Sequence, residues 1–479
     1  MTEGLEKKLN DCTSKGYVIA PAGYGKTHLI ALSVKESASR QLILTHTFAG
    51  VNSIKKKLAA LNVPSSKYQV DTIASWALRI CLSYPQNSGW KTENPTNKQW
   101  NKLYECCAFL LRKRFICKAV LATYSGVYVD EYQDCSELQH SLVCSLAEIM
   151  PCRILGDPMQ SIFDFDGEPV DWDEKIYPYF SCLGQLDTPW RWKQMGDSQL
   201  GEWLKGIRDN LDQGLKVDLC ENRPESVSVN FIYSYDRNRI NIERKNSLLK
   251  LLSNNDTVIA LFGGDPASKN KAHKLANGLG GRFSSIEEVE GKDLHSFIKK
   301  IDAELSSQEK LLLGIGFSEK CFTSVKKVLT APTKRGEFSK PQRKTKYPSL
   351  RNSANEYLNA PTSRNLKGFL MEINVNPETS IYRRDLFNRL LNVLAMHIDG
   401  RSDSLLDAAN LYQTEMRHSG RPVRHQKLIG TTLLVKGLEY DHAVILNADE
   451  LNAKDLYVAM TRGSKSLTII SSSRYLPVK

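Results

Sequence analysis

Two glycines, a lysine and a threonine in "APAGYGKT", residues 20–27, have the spacing of a loop that grips phosphate. Gly23 and Gly25 permit a tight turn whose backbone N–H groups point at anionic oxygens, and a following helix would present its positive N-terminus to them. In this loop Lys26 would reach the β- and γ-phosphates of a nucleoside triphosphate and Thr27 would hold Mg²⁺. Ala22, Tyr24 and His28 complete the expected nucleotide-binding set. About a hundred residues on, an apolar run in "VYVDEYQDC" ends in Asp130 and Glu131. Asp130 would join Thr27 around Mg²⁺, and Glu131 is placed to orient and deprotonate a water. In "ILGDPMQSIFDF", Gln160 follows another apolar run closely and could report the loss of the terminal phosphate.

These groups need a scaffold. "GYVIA" reads as a buried strand and "HLIALSVKESA" as the helix after it, and a parallel sheet would bring the carboxyl end of "GVYV" beside the loop. Further along, "SVSVNFIYSY" and "DTVIALFGG" read as strands and "SKNKAHKLANGLG" as a helix, which predicts a second α/β unit. "KQWNKLYECCAFLLRKRF" carries apolar residues at helical spacing. "SIYRRDLFNRLLNVLAMHI" and "SDSLLDAANLYQTEMRHSG" predict a helical pair, the latter capped by Ser402 or Asp403 and ended by Gly420. Residues 333–353 are rich in Lys, Arg, Ser and Pro without periodicity and are expected to be mobile. Their positive charges suit either a polyanion or plain solvation.

The 479 residues are 41% hydrophobic and 25% charged, an ordinary globular balance. Eleven cysteines without a CxxC pair suggest reduced thiols, not a disulfide framework or metal site. No apolar run reaches membrane-span length and the first residues are too polar for a signal peptide, so the expectation is a cytoplasmic protein with no membrane partner. A formal charge of +12 points to a polyanion such as nucleic acid.

"APAGYGKT", "LILTHTFAGV", "VDTIASWALRI", "VYVDEYQDC", "ILGDPMQSIFDF", "LDTPWRW", "GTTLLVKGLEYDHAVI" and "LYVAMTRGSKSL" resemble, in content and order, the motif series of superfamily 1 DNA helicases of the UvrD/Rep type. The resemblance implies an α/β fold with two RecA-like parallel-sheet domains and reduced helical accessory insertions. It implies a first domain over 1–184 with a short insert near 83–120. The second domain would span 185–305 and 425–479, interrupted by a helical insert over 306–424. It implies ATP as cofactor with Mg²⁺, and DNA-dependent ATP hydrolysis coupled to 3′–5′ movement on single-stranded or partly duplex DNA. Arg191 and Arg462 would contact the γ-phosphate from the second domain, joining Lys26, Asp130, Glu131 and Gln160 as the catalytic set. Trp190, Gly437 and Glu439 would lie against the nucleotide. Thr45, His46, Thr47, Thr72, Trp76, Phe163 and Phe165 fall where the family touches DNA.

Departures leave an alternative open. No glutamine precedes Gln41, where the family usually has one upstream of the loop that reads adenine, so the preference for ATP over other nucleoside triphosphates is open. "TTLLVKG" lacks the usual His and Ser, Asp166 stands where an arginine is frequent, and the insert after residue 83 is small. Compact chains of this kind also resemble the helicase-like component of Gabija-type anti-phage systems. That resemblance implies a DNA- and nucleotide-sensing ATPase in a hetero-oligomer with an OLD-type nuclease.

Overall fold

The computed structural model describes residues 4–93, 95, 99–162, 169–233, 236–253, 255–287, 291–329, 346–419 and 425–478. Phe163, Phe165, Asp166, Gly420 and residues 333–345 of the basic stretch lie outside the described residues. By contacts the chain divides into two compact units, 1–228 with 449–466 and 473–479, and 229–448 with 467–472.

The first unit is built on a six-stranded sheet. Its strands are β1 (Lys15–Ile19), β2 (Gln41–Thr45), β3 (Tyr68–Thr72), β4 (Gly126–Val129), β5 (Cys152–Gly156) and β6 (Ser181–Gln185), in the order β3-β2-β4-β5-β1-β6. Every pairing is parallel. That is why β2, β4 and β5 are buried along their whole length: strands covered on both faces have no solvent side. The helices α1 (Leu5–Asp11), α2 (Lys26–Glu36), α3 (Phe48–Ala60) and α4 (Ile73–Ser83) alternate with the first strands. Local chemistry sets their starts. Thr47 accepts the Gly50 N–H at 3.0 Å to cap α3, and Thr72 accepts the Ser75 N–H at 3.0 Å to cap α4, each cap worth about 1 kcal/mol. The stretch after α4 forms one helical turn, Pro85–Ser88, and two longer helices, Gln99–Leu110 and Arg114–Thr123, whose Leu103, Cys107, Ile116 and Val120 bury against the unit's core.

The second unit carries six strands in the order Ser284–Ser285, Lys427–Thr431, Val258–Phe262, Tyr440–Ile445, Gly463–Ser471, Val227–Phe231. The first four of these pair in parallel. The fold is therefore of the expected α/β class with two sheets. Helices Lys292–Ile301, Ser307–Cys321, Pro348–Asn359, Ser363–Val375, Arg384–Ile398 and Leu405–Ser419 enclose a separate apolar cluster that includes Phe297, Phe317, Phe369 and Phe387. A buried ion pair joins this cluster to the sheet. Arg383, just before its helix, forks onto both Glu287 oxygens at 2.6 Å and reaches Asp293 at 2.6 Å. The last helix is capped by Ser404, which accepts the Asp407 N–H at 3.0 Å, and not by the expected Ser402 or Asp403. Ser402 instead donates to the Ser404 carbonyl, which leaves Ser404 as the last residue before the helix.

Candidate active site

The order of the first sheet puts β5 between β1 and β4, so the loop after β1 and the acids after β4 stand roughly 10 Å apart in strand spacing, with the end of β5 between them. The loop turns on Gly23 and Gly25, at φ 79° and 88°, a region that side chains strain to enter. A Cβ on Gly23 would also meet Trp192 Cζ3 at 2.9 Å. Gly25 caps α2, so Lys26 is the first helical residue and Ala22, Tyr24, Thr27 and His28 flank it.

Lys26 is 8% exposed and its ammonium lies 2.5 Å from Glu131 Oε2 and 3.5 Å from Asp130 Oδ1. Burial works against its charge, but the facing carboxylates outweigh that and raise its pKa. Asp130 is pushed up to about 6, mainly by desolvation and against the pull of Lys26. Glu131 takes the left-handed conformation at φ 56°, which turns its side chain out of the strand direction, and its N–H donates to Asp130 Oδ1 at 3.0 Å.

Two side chains tie this cluster to β5, and neither stood out in the sequence. Gln133, fully buried, donates from Nε2 to Glu131 Oε2 at 2.6 Å, while its Oε1 accepts the Asp157 N–H at 3.1 Å. Gly156 must be glycine for this bridge, since a Cβ there would fall 2.7 Å from Gln133 Oε1. Asp157 in turn accepts from Gln160 Nε2 at 3.1 Å and pairs with Arg208 at 2.8 Å, with both partners of the ion pair buried. The signal for Gln133 was its place inside "DEYQD". For Arg208 there was none, because its partner is fixed only by the fold.

Arg191 and Arg462 belong to the same compact unit as Lys26, where the resemblance had implied supply from a second domain. The reason is that residues 449–466 return to pack with the first unit. Arg191 N–H donates to the Gly23 carbonyl at 2.9 Å, and its Nη1 donates to the Thr461 carbonyl at 2.6 Å. Arg462, 2% exposed, donates from Nε to the Val458 carbonyl and from Nη2 to Thr461 Oγ1, both at 2.9 Å. Trp192 anchors the same segment through Nε1 to the Gly463 carbonyl at 2.9 Å. Trp190 lies near Gly25, 3.4 Å from where a Cβ would stand. Gly437, at φ 76°, and the exposed Glu439 lie in the other unit.

The donor set suits Mg²⁺: the Thr27 hydroxyl and the Asp130 carboxylate are hard oxygen ligands, and this ion is commonly held by one or two carboxylates plus substrate phosphates. Among the described residues no cluster of three or more His, Cys, Asp or Glu could hold a metal without such help.

Among the residues expected to touch DNA, Thr45 and Thr72 sit in register at the carboxyl ends of β2 and β3, both buried. Thr47 and Thr72 use their hydroxyls as caps, and His46 lies 3.4 Å from Cys135 Sγ. Trp76 is a correction. It is fully buried in the apolar cluster around Leu42, Leu103 and Val143, so its ring offers no face to a base.

Residues 97–171, which hold both acids and Gln160, match the UvrD/REP helicase N-terminal domain. No curated protein matches the chain. Among solved structures, the chain is similar to an arterivirus nonstructural protein 10 (helicase) in complex with DNA, at 13% identity over 54% of this chain and 50% of that one, with a TM-score of 0.28. It is also similar to the PRRSV helicase, at 11% identity over 98% of this chain and 54% of that one, with a TM-score of 0.34. A further arterivirus nonstructural protein 10 (helicase) matches at 10% identity over 98% and 62%, with a TM-score of 0.35. The chain thus spans between half and just under two thirds of these proteins. At such TM-scores they are loose likenesses, and the fold rests on this chain's own two sheets. Among the described residues no helix is long and apolar enough to cross a membrane.

Proposed function

We propose that this chain is an ATP-hydrolysing motor of superfamily 1 that moves on single-stranded DNA, with 3′–5′ polarity. The observation that carries the reading is the Lys26 ammonium held against both Asp130 and Glu131 at the carboxyl edge of one parallel sheet. Phosphates entering the loop compete with Glu131 for Lys26. Once Lys26 turns to them, the Glu131 carboxylate is free to accept a proton from water while Gln133 keeps it in place. Mg²⁺, held by Thr27 and Asp130, supplies neutralising charge at the phosphates when bound. Arg191 and Arg462, fixed on the 458–463 segment beside the loop, stabilise charge that develops on the transferred group. Gln160 shares Asp157 with Arg208, so a change at the phosphate can pass through it to the helix bearing Arg208.

A helical insert over 306–424 remains part of this proposal, as do DNA contacts by Thr45, His46, Thr47 and Thr72 and nucleotide contacts by Gly437, Glu439 and Trp190. A second reading, a DNA-sensing ATPase acting with a partner nuclease, is favoured by the small insert, three short helices (Pro85–Ser88, Gln99–Leu110 and Arg114–Thr123) between α4 and β4. Strand displacement by the lone chain counts against it.

The test is ATP turnover with and without single-stranded DNA in Lys26→Ala and Glu131→Gln. Each variant is expected to lose roughly 10²–10⁴-fold in rate while keeping its circular dichroism. Wild-type turnover in either variant overturns the assignment, and equal stimulation by RNA overturns the DNA part of it.

A further inference from the structure

At the outer edge of the first sheet, far from the phosphate loop, a cleft of about 370 Å³ opens beside β3. β3 is the terminal strand, four strand spacings from β1, which places the cleft roughly 19 Å from the loop. It runs along β3 from Tyr68 to Asp71 and reaches the amino ends of the strands. Arg40 immediately precedes β2 and Ser65 opens the turn leading into β3, so both stand at the amino ends, whereas Lys26, Asp130 and Asp157 follow carboxyl ends.

Three cations line this cleft, Arg40, Lys55 and Arg79, against one carboxylate, Asp71. Arg79 Nη1 holds Asp71 Oδ2 at 2.7 Å, so that pair is internally neutral and a formal charge of +2 stays with Arg40 and Lys55. Gln69 lies between the two arginines. With its amide nitrogen donating to Tyr124 Oη at 2.8 Å, its oxygen accepts from Arg79 at 2.6 and 3.0 Å, and Arg40 then has no acceptor in Gln69. The Arg40 guanidinium is meanwhile steadied over the Tyr124 ring, 5.9 Å from its centroid. Lys55, exposed on α3, has no acceptor among the described residues.

A guanidinium fork, an ammonium and the Ser65 hydroxyl around a cleft of this size are complementary to a phosphate group. We propose that the β3-edge cleft is a phosphate-binding site separate from the nucleotide loop, held by Arg40 and Lys55. Its ligand is a phosphate of a bound nucleic-acid strand or of a small phosphorylated compound. The inference rests on the nucleic-acid reading only for the first of these sources.

The experiment uses the full chain carrying Arg40→Glu and Lys55→Glu. Both positions are exposed, so the thermal midpoint and the basal ATP turnover are expected to stay at wild-type values. Fluorescence anisotropy measures binding of a short oligonucleotide of roughly 10 nucleotides and of one about four times longer, across a salt series. If a strand supplies the phosphate, the salt slope for the long oligonucleotide drops by about 2 and its affinity falls roughly tenfold at low salt, while the short one is unaffected. In a second arm, calorimetry with inorganic tripolyphosphate is run on Lys26→Ala, which silences the loop, with and without the two Glu substitutions. Loss of tripolyphosphate binding with unchanged long-oligonucleotide affinity assigns the cleft to a small phosphorylated ligand. No difference in either arm overturns the proposal. A wild-type chain that binds no DNA overturns the motor reading instead, and leaves the tripolyphosphate arm to decide the cleft.

Discussion

Replacing Arg208 by Met should destabilise the first unit by about 3–5 kcal/mol, because it strands a carboxylate in the interior. Asp157 is fully buried, and Arg208 meets it through Nη2 at 2.8 Å and Nε at 3.3 and 3.4 Å. Burial disfavours the Arg208 charge, yet Asp157 outweighs that and raises its pKa above the ordinary arginine value. Methionine fills much of the same volume, which keeps a cavity from dominating the result. With a urea slope near 3 kcal/mol per molar, the unfolding midpoint should fall by about 1–1.7 M. Tryptophan fluorescence reads this unit through Trp76, Trp172 and Trp192, all buried in it. The double variant Asp157→Asn/Arg208→Met should recover part of the loss, since no charge is then stranded. ATP turnover should fall in Arg208→Met as well, because Gln160 takes its position from the same carboxylate. A loss below about 1 kcal/mol, or strictly additive single and double variants, would refute the argument that the pair is a buried electrostatic unit.

Three further outcomes are expected. Trp76→Ala should cost about 3–5 kcal/mol in urea unfolding, and Trp76→Phe much less, with DNA affinity of Trp76→Phe unchanged; a selective loss of DNA binding would restore Trp76 as a contact. Gly23→Ala should lower nucleotide affinity by at least tenfold, read with a fluorescent ATP analogue, because φ 79° and Trp192 both resist a Cβ. Asp293 is held at about 2 although burial pulls it upward, because Arg383 and then Lys320 outweigh that effect. Its contribution to stability is therefore complete above the unfolded value of 3.8 and is lost as pH falls through about 2. Discounted for a side chain one-third exposed, it amounts to ~1 kcal/mol. The urea midpoints of wild type and Asp293→Asn should differ near neutral pH and converge near pH 2; a gap that persists in acid contradicts this.

The glycine loop after β1 was legible because its geometry is local: glycine at positive φ, a strand before and a helix after are all written within about fifteen residues. The acids after β4 were legible for the same reason. Trp76 was not, since an aromatic residue in a helix after a strand has the same local pattern whether it faces a ligand or the core. Arg208, Gln133 and the Arg383–Glu287 pair were invisible because their partners lie across the fold, and only packing decides which charge meets which. The Ser404 cap was missed by a residue or two, the usual uncertainty where several small polar residues adjoin. The return of residues 449–466 to the first unit is also a tertiary fact, and it is what places Arg462 with Lys26.

That return sets an order of events at the ribosome. The loop, both acids and Gln160 emerge early, yet the segment on which Arg191, Trp192 and Arg462 are fastened is made only after more than four hundred residues. Until then Trp192 lacks its carbonyl partner and the first unit is unfinished, although its sheet is already encoded. A nascent or prematurely stopped chain would therefore hold the glycine loop without Arg191 and Arg462 fastened beside it, a half-built unit with apolar surface for chaperones to shield.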